Sequence, residues 1–109
     1  MSLIENLEKM LESGRDDAML RFGLGNAYFQ AADYDKAVRH LDKALEFDRG
    51  YSAAWKLLGR SLVQLGDLEA ARRTFEDGIE QAGQKGDKQA VKEMRVFLKR
   101  IPGQRRAGS

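Results

Sequence analysis

Few side chains in this sequence could do covalent chemistry. His40 is the single histidine and there is no cysteine, which removes a thiolate nucleophile, a disulfide framework and any Cys-based zinc or iron–sulfur site. His40 stands between Arg39 and Leu41 in a helical stretch and reads as an exposed surface residue, with no neighbouring nucleophile for it to activate. A metal would want more histidines or a carboxylate cluster at ligand spacing, and Asp16-Asp17 fits better as a helix N-cap. Gly23-Leu24-Gly25 lacks both the preceding strand and the Lys-Ser/Thr of a phosphate loop. Catalysis, cofactor and metal are therefore not expected, and recognition is left. Lys56 and Arg60, one helical turn apart, can hold a carboxylate by charge-assisted hydrogen bonds. A second set of cations, Lys85, Lys88, Lys92, Arg95, Lys99, Arg100, Arg105 and Arg106, gathers toward the C-terminus. Residues 1–50 carry 7 Lys and Arg against 10 Asp and Glu, net −3, and residues 51–109 carry 12 against 7, net +5. That polarity favours acidic partners, including nucleic acid, although the interleaved aromatics that read bases are missing.

The elements that must position these residues follow from length and pattern. A chain of 109 residues makes one domain, buries roughly two thirds of the surface it exposes when unfolded, and can be stable without staples. One proline, Pro102, in a chain that is 33% charged points to long helices joined by short turns, hence an all-α fold. Charged residues interrupt every apolar run near the N-terminus, a pattern unlike a signal peptide or a membrane span, and a cytoplasmic location is expected.

Laid over itself at an offset of 34, the chain aligns Leu24 with Leu58, Gly25 with Gly59, Asp33 with Asp67, Ala37 with Ala71, Leu41 with Phe75 and Leu45 with Ile79. Leu20, Leu24, Ala27 and Tyr28 form one apolar stripe at helical spacing, and Ala37, Val38, Leu41, Ala44 and Leu45 form another, so each unit is a helix pair. Asp33 and Asp67 cap the second helix of each pair, and Gly66 ends the helix before it in a left-handed conformation. Gly25 opposite Ala37 and Gly59 opposite Ala71 let the paired helices approach closely, offsetting a propensity cost of roughly 1 kcal/mol per glycine.

Trp55, Leu58, Gly59, Leu62, Ala71 and Phe75, with Leu24, Gly25, Tyr28, Ala37 and Ala44 in the first unit, stand at the signature positions of the tetratricopeptide repeat. The chain resembles that family, departing from it at Arg21 for Trp, Gly78 for Ala, and Arg49 and Gly83 for the closing Pro. The resemblance implies antiparallel helix pairs stacked as a short right-handed α–α solenoid of about six helices. The expected domain is 1–102: a degenerate N-terminal helix over 2–13, repeats over about 18–51 and 52–85, and a capping helix over about 86–101. Residues 103–109 are expected as a loose basic tail.

The family also implies a function, a non-catalytic adaptor or scaffold that receives a peptide or a partner's helix in a concave groove lined by the first helices. Here those positions are Met19, Phe22, Asn26, Phe29 and Gln30, then Ala53, Lys56, Arg60, Val63 and Gln64. Helix geometry agrees, because at 100° per residue Phe22 and Phe29 point away from the core stripe. They are either covered by the N-terminal helix or exposed as a binding patch. Some family members clamp a terminal carboxylate in this groove; Asn26 matches their pattern, but Phe22 and Leu57 replace two of the required residues and no third groove helix has the proper pattern. The partner expected is another protein or peptide, acidic ones included, with nucleic acid at the basic end or self-association as alternatives.

Overall fold

The computed structural model describes residues 2–102, and the expected tail over 103–109 lies outside them. Six helices follow in chain order: α1 (Leu3–Glu12), α2 (Ala18–Gln30), α3 (Tyr34–Phe47), α4 (Ser52–Leu65), α5 (Leu68–Gln84) and α6 (Lys88–Lys99). No strand occurs among the described residues.

Local chemistry starts and stops these helices. Ser2 and Glu5 form a reciprocal capping box on α1. Asp17, Asp33, Asp67 and Asp87 each accept a hydrogen bond from the backbone N–H three residues on, opening α2, α3, α5 and α6. Gly66 closes α4 in the left-handed region, φ 80°.

Sequence neighbours pack pairwise, α2 on α3 and α4 on α5, and the pairs stack through α3 on α4, with α1 on α2 and α6 on α4 and α5 at the two ends. The result is elongated, 51 × 29 × 18 Å. Its core runs the length of the stack through Leu24, Leu41, Trp55, Leu58, Phe75 and Met94, each at most 5% exposed. The tight helix crossings are filled one turn beyond the expected alanines. A Cβ on Gly25 would lie 2.6 Å from Leu41 Cγ, and one on Gly59 would collide with the Phe75 ring. Ala37 and Ala71 are fully buried nearby, but the glycines make room for Leu41 and Phe75.

Candidate functional site

The first helix of each pair, α2 and α4, and the end helix α6 lie side by side. On α2, Met19 is 69% exposed, Asn26 and Gln30 are exposed, and Phe22 and Phe29 are half-buried. Both rings have aromatic partners outside the N-terminal helix. Phe22 stacks on Tyr51 at 5.0 Å between centroids, and Phe29 meets Tyr34 edge-on at 5.4 Å. The contacts of α1 run instead toward Gly23, Tyr28 and His40.

On α4, Ala53, Lys56 and Val63 are half-buried while Arg60 and Gln64 are exposed. Lys56 does not stand free beside Arg60. Its ammonium donates to the Glu93 carboxylate of α6, and this bond, with a second from Gln89 at 3.1 Å, holds Glu93 below the usual carboxylate range. The Arg60 guanidinium lies over two rings, 5.0 Å from the Phe29 centroid and 5.3 Å from that of Phe97. Phe97 in turn stacks on the buried Phe75 at 5.8 Å and carries Arg100 at 5.9 Å.

Two adjoining cavities open at this end. One, of about 230 Å³, is lined by Arg60, Val63, Gln64, Phe75, Phe97, Arg100 and Ile101; the other, of about 320 Å³, by Lys56, Arg60, Glu93, Val96, Phe97 and Arg100. Sequence reasoning treated α6 as a solvating cap, so it missed Glu93, Val96 and Phe97 and counted Arg100 with the basic C-terminal end instead of with the groove. The signal was hidden by a shift of register. Seventeen residues of α5 against fourteen of α3 place the α6 cap, Asp87, later than the offset of the first two units predicts. Aligned cap to cap instead, Val96 and Arg100 fall at the register of the groove residues Arg60 and Gln64, whereas Glu93 and Phe97 fall at that of the buried Leu57 and Ser61 and carry no groove signal in the period.

A second polar cluster joins α1 to the first pair. The Tyr28 hydroxyl donates to Glu8 at 2.5 Å, which pushes its pKa up to about 12. His40 stacks on Tyr28 at 5.5 Å, and its side chain is only 13% exposed, so the expectation of an exposed histidine is corrected. Arg21 pairs with Asp16 at 2.7 Å and donates to His40 Nδ1 at 3.1 Å. An arginine cannot accept, so Nδ1 must, and the proton sits on Nε2, 3.8 Å from Glu8. Burial is the first cause that holds the His40 pKa below its ordinary value, so this contact is no ion pair at neutral pH. Among the described residues no group of three or more His, Cys, Asp or Glu could hold a metal ion, and no helix is long and apolar enough to cross a membrane.

Comparison with known proteins places these features in a family. Residues 28–94 match the tetratricopeptide repeat model. A TPR repeat-containing protein of Pseudomonas aeruginosa is 52% identical over 99 residues, covering 91% of this chain and 94% of its own length. A heat-shock protein cognate co-chaperone of Aspergillus fumigatus is 33% identical over 60 residues, of which this chain spans only 18% of the length. Among solved structures, a Bordetella parapertussis protein superposes with a TM-score of 0.83 at 46% identity, covering 93% of this chain and 88% of that one. The Sgt2 TPR domain from Aspergillus fumigatus shares the fold, with a TM-score of 0.69 at 23% identity over 88% of this chain and 66% of its own.

Proposed function

Since this chain belongs to the tetratricopeptide repeat family, whose members are protein-interaction modules, we propose that it is a non-catalytic adaptor that holds a polypeptide across α2, α4 and α6. The reading needs no cofactor and takes the cytoplasm as its place of work. The observation that carries it is the stacked row Phe29–Arg60–Phe97, which runs from helix to helix and combines apolar area with a cation that forms no ion pair among the described residues. Such amphipathic side chains dominate binding at protein interfaces. With Asn26, Gln30 and Gln64 exposed alongside, the face offers a polar rim to an extended or helical segment, and the exposed Met19 adds apolar area.

Affinity capture from lysate tests this reading. Wild type is compared with a Met19→Asp, Asn26→Arg, Gln64→Arg variant, altered only at exposed groove positions, and with a Lys92→Glu, Arg95→Glu variant on the α6 flank that adjoins Gly83 and Gly86 and lines neither groove cavity. Circular dichroism establishes that each is folded. Proteins lost from the groove variant alone support the proposal.

The second reading rests on Lys88, Lys92, Arg95 and Lys99, an exposed stripe of one helix face on which no cation forms an ion pair among the described residues. Binding of nucleic acid or another acidic surface there would be lost from the α6 variant alone and would weaken steeply with salt.

A further inference from the structure

We infer, resting on the groove reading above, that the end of the groove between α4 and α6 is a site for an internal peptide segment in which a large apolar side chain neighbours a carboxylate. The two halves of that chemistry come from different residues. Phe75 at 0% exposure and Ile101 at 6%, together with Val63 and Phe97, give the smaller cavity an apolar floor. Its volume of about 230 Å³ falls short of the pockets that enclose cofactors, roughly 300 Å³ and upward, and suits a single side chain.

Arg60 and Arg100 supply the charge. Among the described residues neither forms an ion pair, whereas Lys56 and Arg72 have their carboxylates in Glu93 and Glu69. Both guanidinia rest on the same Phe97 ring, at 5.3 and 5.9 Å. A guanidinium held against a ring has lost part of its rotamer freedom while its N–H donors remain available to an acceptor. Two like charges over one ring repel, and an anion between them removes that repulsion and accepts from both. The ring faces that could stack bases already carry guanidinia, which favours a peptide carboxylate over nucleic acid.

The second cavity decides between an internal segment and a chain end. It shares Arg60, Phe97 and Arg100 with the first, so a backbone can continue past the cation pair along α6. There it meets Val96, 45% exposed, and a Glu93 already neutralised by Lys56.

Short random peptides displayed on phage, selected on the full-length chain at physiological salt, test the inference. Enriched sequences should share an Asp or Glu within two residues of a Leu, Ile, Met or Phe. A synthetic peptide of that pattern should bind about tenfold more weakly to Arg60→Gln and to Arg100→Gln, and equally to the charge-matched control Lys92→Gln. Asn for Asp in the peptide should cost the same, without adding to the arginine substitution, and C-terminal amidation should change nothing. Enriched peptides that lack an acid, or that ignore both arginines yet fail on the Asn26→Arg groove variant, overturn this site and leave the groove reading standing. Dependence on a free C-terminus overturns the internal segment, and tighter arginine-dependent binding of an oligonucleotide overturns the peptide ligand. If the selection enriches nothing, both readings fall.

Discussion

The two helix pairs share one register and solve their packing differently. In the second pair Trp55 is 4% exposed, its indole N–H donates to the Arg49 carbonyl at 2.7 Å, and Phe75 fills the notch at Gly59. In the first pair Arg21 stands where Trp55 does, and the smaller Leu41 fills the notch at Gly25. Arg21 is satisfied by Asp16 and His40, and Tyr28 by Glu8 of the end helix. The second pair is thus joined to its end helix by aromatic stacking, Phe75 on Phe97, with the more exposed Lys56–Glu93 pair beside it, and the first by a hydrogen-bonded cluster. A repeat architecture fixes where side chains meet, and the chemistry of the meeting is free to differ as long as every buried polar group finds a partner.

The largest test of this contrast is truncation at the matched notch positions. Phe75→Ala should destabilise by about 3–5 kcal/mol, because it opens a cavity at a fully buried site and removes the platform under Phe97. Leu41→Ala, equally buried but touching no end-helix aromatic in the same way, should cost about 2–3 kcal/mol. Urea unfolding curves compare the two, and a larger loss at Leu41 would mean that the polar pair, not the aromatic one, carries the stack.

Much of this was legible in the sequence because it is set by local chemistry and period. The all-α fold, the helix pairs, the Asp33 and Asp67 caps and the Gly66 terminus all follow from residue type and an offset of 34. What was not legible depends on contacts that the period does not encode. Lys56 finds Glu93, and Arg60 finds Phe97, because α6 returns across α4, and the longer α5 takes α6 out of the register that would have revealed it. His40 is covered for a similar reason, since the Arg21 that shields it belongs to the substitution that breaks the family pattern.

A smaller effect is expected from acid. His40 faces Glu8, which favours its protonation, and Arg21 and Arg39, which oppose it, with Asp16 on the favouring side; burial outweighs these and lowers its pKa. The folded state therefore binds the proton less readily than the unfolded chain, whose histidine titrates near about 6.5. Stability from this group is complete above about pH 6.5 and is lost as pH falls through that value toward the lowered one. Thermal unfolding followed downward from neutral pH should show the wild type losing stability relative to His40→Gln over that window. Parallel curves for the two proteins would show that the polar cluster does not hold His40 neutral.

The finest contrast lies in a single backbone angle. Ala32 and Gly66 occupy the same register, each closing the first helix of its pair at positive φ, 60° and 80°. Glycine adopts this region without penalty, whereas an L-residue there crowds its Cβ against the backbone at a cost of roughly 1 kcal/mol. A Cβ on Gly66 would meet nothing within 4 Å, so backbone strain alone should set the effect of substitution. Gly66→Ala is then expected to destabilise by about 1 kcal/mol and Ala32→Gly to stabilise by somewhat less, because glycine also gains freedom in the unfolded chain. Opposite signs in chemical denaturation would place the strain in the shared turn. If Ala32→Gly destabilises, the Ala32 methyl contributes packing that outweighs its strain, and the two turns differ in surroundings as well as in residue.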